Sequence, residues 1–229
     1  MARNEVAELP QNRELAYRWA GLFLHTPAMW QVEISPSITT LSHPLLPSTC
    51  LLYGMAVKFL IESEERNRLI ASDIAAAYQE GRYLAVLSDR KEHLNRLESV
   101  TRGILPEEAI FRIDGSTGRK QRMILIQKLT VRATSKTPFV LFSTASLIGE
   151  GFDLPCLDTM VLAMPLSFKG RLTQYAGRLH RFAAGKGDVR IHDYIETNHP
   201  MMMHMYRKRM VAYREMGYVV QGLGDAFVM

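Results

Sequence analysis

The chain has 229 residues, 47% of them hydrophobic and 22% charged, which is ordinary for a soluble globular protein and enough to bury a core without covalent staples. Twenty-eight Lys and Arg against 23 Asp and Glu give a net charge of +5 and a pI near 9.3, which suits a polyanion such as nucleic acid without requiring one. Cys50 and Cys156 lie outside any C-x-x-C pattern and the seven histidines lack metal-ligand spacing; this excludes a disulfide framework and a zinc site and points to a reducing, cytoplasmic compartment.

No apolar run is long enough to cross a bilayer, and MARNEVAELPQNRELAYR carries charge where a secretory signal needs an apolar core. No membrane contact is expected. QNRELAYRWAGLFL (11–24) fits a helix with Leu15, Trp19, Leu22 and Phe23 on one face. SPSITTLSHPLLPST (35–49) carries Pro36, Pro44 and Pro47, which deny helix continuation and sheet donors, so it reads as an extended connection. A regular pattern begins near residue 58. Residues 1–57 therefore read as an N-terminal helix and proline-rich connection, and 58–229 as one domain.

EERNRLIASDIAAAYQEG (64–81) is helix-like, with Gly81 placed to stop it. YLAVLS (83–88) is apolar without alternation, as in a strand buried on both faces. DRKEHLNRLESV (89–100) reads as a helix with Asp89 as N-cap. AIFRID (109–114), FVLFST (139–144), TMVLAMP (159–165) and VRIHDYI (189–195) read as strands. Helices are expected from Gly118 to Ala133, over RLTQYAGRLHRF (171–182) and over 201–217. Apolar strands separated by amphipathic helices predict βαβ units and a mainly parallel sheet. Ligands of such sheets sit at the carboxyl ends of strands, which directs attention to Ser88, Asp114, Thr144 and Pro165.

Ser88 offers a hydroxyl and Arg90 a forked cation, both suited to phosphate; a solvated first-turn arginine is the plainer alternative. Gly115 lets a backbone approach a ligand closely. Arg119, Lys120 and Arg122 oppose the dipole of the helix they open; a polyanion or a solvated basic face accounts for them equally well. In FSTASLIGEGFDLP (142–155), Gly149 and Gly151 bracket a turn after Thr144, and Asp153 can bond a ribose hydroxyl or make an Asx-turn before Pro155. In QYAGRLHR (174–181), Leu172, Tyr175, Leu179 and Phe182 form the expected core stripe, with Gln174, Arg178 and Arg181 beside it. Gly177 costs a helix about 1 kcal/mol relative to alanine, which suggests close backbone packing.

Taken in order, these segments resemble the second RecA-like lobe of a superfamily 2 DEAD/DEAH-type helicase. LSDRKEHL resembles motif IV, IDGSTGRKQR the family segment after it, and TASLIGEGFDLP motif V. QYAGRLHR resembles motif VI, whose Q-x-x-G-R-x-x-R is matched in full at Gln174, Gly177, Arg178 and Arg181. The resemblance implies an α/β fold, a RecA-like three-layer sandwich with helices on both faces of the sheet. It implies that Arg178 and Arg181 reach a triphosphate held by another lobe, at least one as an arginine finger, with Gln174 orienting the site. Gly151, Asp153 and Gly177 would lie near the nucleotide. Ser88, Arg90, Gly115 and Thr144 would meet the nucleic-acid backbone. Similarity to DNA-repair and restriction-type members favours DNA over RNA.

The family's phosphate-cradling G-x-x-x-x-G-K-[ST] and its DEAD or DEAH motif do not occur; GSTGRK (115–120) has the wrong spacing. ATP and Mg2+ are therefore expected to be held mainly by a first lobe, supplied in cis or in trans, and no metal site is expected in this chain. Residues 1–57 are too short to be that lobe and read as a remnant of the inter-lobe connection. The expected function is the C-terminal motor lobe of a helicase or translocase, inactive alone. The alternatives are a stand-alone nucleic-acid-binding or helicase-regulatory module, or a degenerate product without function.

Overall fold

The computed structural model describes residues 30–36, 52–144, 154–166, 169–197 and 199–222. Seven strands form one sheet: β1 (Trp30–Pro36), β2 (Tyr83–Leu87), β3 (Ile110–Ile113), β4 (Phe139–Ser143), β5 (Thr159–Leu162), β6 (Val189–Ile195) and β7 (Val219–Gly222). Their order is β3-β4-β2-β5-β6-β1-β7, and every pairing is parallel. The helices are α1 (Leu52–Glu62), α2 (Glu64–Gln79), α3 (Lys91–Arg102), α4 (Arg119–Thr134), α5 (Lys169–Leu179) and α6 (Pro200–Glu215).

Alternate side chains of the central strands feed two cores, because successive residues point to opposite faces. Leu84, Val86, Val140 and Phe142 pack against Ile70 and Ile74 of α2 and Leu94 and Leu97 of α3. Ala85, Leu87, Leu141 and Leu162 pack on the other face with Leu129 of α4, Leu172 and Tyr175 of α5 and Tyr206 of α6. This is the expected three-layer RecA-like sandwich. A third cluster joins α1 to Met202 and Met205 of α6, so the methionine-rich stretch serves as core packing. Among the described residues no helix is long and apolar enough to cross a membrane.

Local sequence explains most boundaries. Ser63 accepts a hydrogen bond from Arg66 N at 3.3 Å and opens α2, with Glu64 and Glu65 complementing the helix dipole. Gly81 ends α2 with φ +84. His199 caps α6 ahead of Pro200.

Strands β1 and β7 escape the sequence reading. β1 draws on the segment assigned to a separate connection, yet it pairs with both β6 and β7, and its Val32 and Ile34 are buried. Helix α1 runs through the expected boundary at 57/58. The short alternation of β1 lies just ahead of the prolines at 36, 44 and 47, and those prolines dominate the pattern. The expected helix at 11–24 and most of the proline-rich stretch lie outside the described residues.

Candidate nucleotide and nucleic-acid interface

Because all strands are parallel, their carboxyl ends share one edge. The register sets Leu87 beside Ser143 and Leu162, and Ile113 beside Ser143. Asp114, Thr144, Ser88 and Ala163 therefore emerge side by side, at the strand spacing of about 4.8 Å. Ser88 N donates to Ser143 O at 3.3 Å and Ala163 N to Leu87 O at 3.0 Å, which extends the ladder to that rim.

Ser88 is 1% exposed. Its Oγ accepts from Arg90 N at 3.2 Å and lies 3.2 Å from His93 Nδ1, while His93 Nε2 lies 3.0 Å from Asn67 Oδ1. An amide oxygen only accepts, so Nε2 carries the proton and Nδ1 accepts from the serine hydroxyl. Burial, followed by the Arg66 and Arg96 charges, lowers the His93 pKa to about 3 and keeps the ring neutral. The hydroxyl expected to meet phosphate thus works inside the turn, and what it presents to solvent is Arg90. Arg90, not Asp89, is the N-cap of α3, with extended backbone at φ −115 and ψ 116 and no side-chain capping bond. Asp89 instead accepts from Arg171 of α5 at 3.3 Å.

Asp114 Oδ1 accepts from Ser116 N at 2.8 Å and from Ser116 Oγ. These bonds, helped by Lys91 and Arg112 against the opposing effect of burial, hold its pKa near 2. The Asx-turn they close leaves Gly115 exposed, with no atom within 4 Å of a Cβ built there. Arg119 and Lys120 follow, exposed, on a helix start whose Gly118 cap supplies no side-chain bond. Thr144 closes β4 and is buried at 8% exposure. Gly149, Gly151 and Asp153 lie outside the described residues.

The motif on α5 sits differently. Leu172, Tyr175 and Leu179 are buried as expected, and burial pushes the Tyr175 pKa up to about 12. The helix ends at Leu179, however, so Arg181 stands in a bend beyond it, its N–H donating to Arg178 O at 3.3 Å. The two arginines therefore do not share a helical stripe. Phe182, placed in the core by its spacing, is 75% exposed for the same reason. Gly177 does not serve close packing among the described residues: a Cβ there meets nothing within 4 Å. Gln174 is exposed and Arg178 half-buried.

Helix α5 connects two edges of the sheet. Arg171 near its start pairs with Asp89 at the carboxyl edge. At its far end His180 Nε2 lies 2.7 Å from Tyr218 Oη, with the rings stacked at 5.4 Å, and Tyr218 immediately precedes β7 at the amino edge. Burial, with Lys186 nearby, lowers the His180 pKa to about 4, so this bond is made by a neutral ring. Seven residues separate Arg171 from Arg178, a rise of about 10 Å along the helix. Ser88, Arg90, Gly115 and Thr144 thus gather at one edge, and the arginine motif extends toward the other.

Sequence reasoning missed two supports. Arg209 of α6 donates to Asp193 of β6 through Nε at 2.6 Å and NH2 at 3.0 Å, and through NH1 to Leu166 O at 3.2 Å in the approach to α5. Tyr213 Oη also donates to Asp193, at 3.0 Å. Lys186 Nζ donates to Leu179 O, Arg181 O and Pro155 O. The i, i+4 spacing of Arg209 and Tyr213 was the only trace of the first; a lone lysine between glycines gave no trace of the second.

A parallel sheet between two helical layers, with polar loops at its carboxyl edge and an arginine-bearing helix end beyond, defines a RecA-like lobe. The chain belongs to the helicase conserved C-terminal domain family, whose pattern matches residues 63–183, more than half of its length. This is the helicase C-terminal domain that the motifs implied. The crystal structure of T4 UvsW is similar, with a TM-score of 0.65 at 16% identity over 84% of this chain and 41% of that one. The C-terminal part of the Fun30 ATPase domain is similar with a TM-score of 0.52 at 18% identity, over 69% of this chain and 50% of that one. The chain thus spans half or less of these two proteins. None of the curated proteins matches it.

Proposed function

We propose that this chain is the second motor lobe of an ATP-dependent helicase or translocase. Its amino-edge arginines act on a triphosphate held by a first lobe, and its carboxyl edge grips a nucleic-acid backbone. The observation that carries this reading is the pairing of Q-x-x-G-R-x-x-R, which runs over and just past the end of α5, with the strand-end row of Ser88, Asp114 and Thr144 at the other end of that helix. Arg178 and Arg181 would stabilise the charge that develops on transferred phosphoryl oxygens, and Gln174 would help orient the site. Gly177, Gly151 and Asp153 would lie near the nucleotide.

The donor set of this chain fits the outside of a triphosphate and not its cradle. It contributes cations, while no phosphate-binding loop occurs in the sequence, and no group of three or more potential metal ligands occurs among the described residues. ATP, with the Mg2+ that accompanies it, supplies the phosphoryl transfer. The residues here would position against its γ-phosphoryl end. At the other edge, Arg90, with Ser88 fixing its turn, would meet phosphate together with Gly115 and Thr144, a grip without sequence readout. Similarity to DNA-repair and restriction-type helicases favours DNA over RNA.

A stand-alone binding module is the second reading, because the carboxyl edge is assembled by this chain alone. One experiment addresses both. The purified chain hydrolyses ATP no faster than background, and it binds single-stranded DNA with an affinity that falls as salt rises and falls further in Arg90→Ala. ATP turnover by the chain alone that Arg181→Ala abolishes contradicts the half-site. Absence of any single-strand binding at low salt contradicts the grip.

A further inference from the structure

Lys186 sits in the loop between α5 and β6, five residues past Arg181. Gly185 before it has φ +85, a left-handed conformation that glycine adopts without strain, and Lys186 N donates to Ala183 O at 3.2 Å. This turn sends the side chain back under the end of α5. The ammonium donates to Leu179 O, to Arg181 O at 3.2 Å and to Pro155 O at 3.2 Å. Three donors meet three carbonyls.

Two of those carbonyls lie at and just past the end of α5, where the last helical carbonyls lack intrahelical donors and attract cations. The third belongs to another segment. Pro155 closes the stretch that resembles motif V, 24 residues before the end of α5. Asp158, Cys156, Arg82 and His180 are the titratable and charged groups around the ammonium. Burial lowers the lysine pKa to about 8, with Asp158 opposing most strongly, so the ammonium predominates at neutral pH.

We propose that Lys186 is the positioning residue for Arg181: its ammonium ties the Arg181 backbone and the end of α5 to Pro155, so that the turn at Pro155 and the end of the motif VI segment move as one unit. The catalytic consequence rests on the reading that Arg181 acts on a triphosphate. The tie itself is a property of this chain.

Lys186→Met keeps the stem and removes the donors. In the purified chain, hydrogen exchange should quicken together in peptides covering 154–158 and 179–183, while peptides from β2 and β4 stay unchanged. In the two-lobe motor, kcat should fall by about 10- to 100-fold with KM for ATP unchanged, as expected when a catalytic group is misplaced by about 1 Å. Lys186→Arg should recover part of kcat. Wild-type exchange in both peptides overturns the tie, as does faster exchange throughout the sheet, which would mark a general loss of stability. An unchanged kcat, or a KM that rises with kcat intact, overturns the positioning role. A wild-type two-lobe motor without ATP turnover would overturn the functional reading instead, and the exchange measurement would still decide the tie.

Discussion

Single side chains in this lobe act through protonation state as much as through position. His93 and His192 are buried and His180 half-buried, and desolvation lowers their pKa values to about 3, 4 and 4, respectively, from 6.5. Each is neutral in the fold and acquires a proton on unfolding once the pH is below 6.5. A folded pKa below the unfolded one confers stability that is complete above pH 6.5 and lost as pH falls toward the folded value. Each such proton is worth about 1.4 kcal/mol per pH unit within that window. The Glu33 and Asp158 carboxyls, raised chiefly by burial, pull the other way, and Glu33 does so 3.3 Å from His192. Three histidines against two carboxyls predict a midpoint of thermal unfolding that falls from pH 7 to pH 5. A flat profile over that range, measured by circular dichroism, contradicts neutral buried rings. His93 matters beyond stability, because its neutral Nδ1 takes the Ser88 hydroxyl that sets the turn to Arg90.

Helix α5 is held from both sides by charges drawn from other elements. Arg209 of α6 spans from Asp193 to Leu166 O, and its side chain is 4% exposed against 1% for Asp193. Removing one partner strands a buried charge, a loss of about 3–5 kcal/mol. Arg209→Met should therefore lower stability by about that amount in urea unfolding, whereas a loss under 1 kcal/mol would mean the pair adds nothing to the α6–β6 join. Most of the elements involved were legible in the sequence. β6 was read to the residue, since VRIHDYI follows Gly187 and Asp188 and runs into a turn. The end of α5 was not legible. Leu172, Tyr175 and Leu179 set a helical rhythm that Phe182 continues, and nothing local breaks it. At the break, Lys186, a residue outside the pattern, takes the carbonyls of Leu179 and Arg181. Likewise Ser88 was legible as a strand-end hydroxyl, but not as a buried one. Its burial depends on Asn67 and His93, brought together from two helices.

The lobe as a whole has two sheet edges joined by one helix, α5. The alternation of strands and helices made the sandwich legible from sequence. The contribution of β1 was not, because a strand between β6 and β7 is fixed by tertiary pairing and not by its own short pattern. Edges about 10 Å or more apart suit a motor lobe that grips a polymer on one side and senses a nucleotide on the other. The claim that Arg181 reaches across to a triphosphate held elsewhere is the centre of this account. Its most direct test is ATP turnover by the two-lobe motor carrying Arg181→Ala. The account predicts a fall of about 10³-fold or more, the scale of a lost arginine finger, with ATP and single-strand binding retained. Turnover within a few fold of wild type would contradict it.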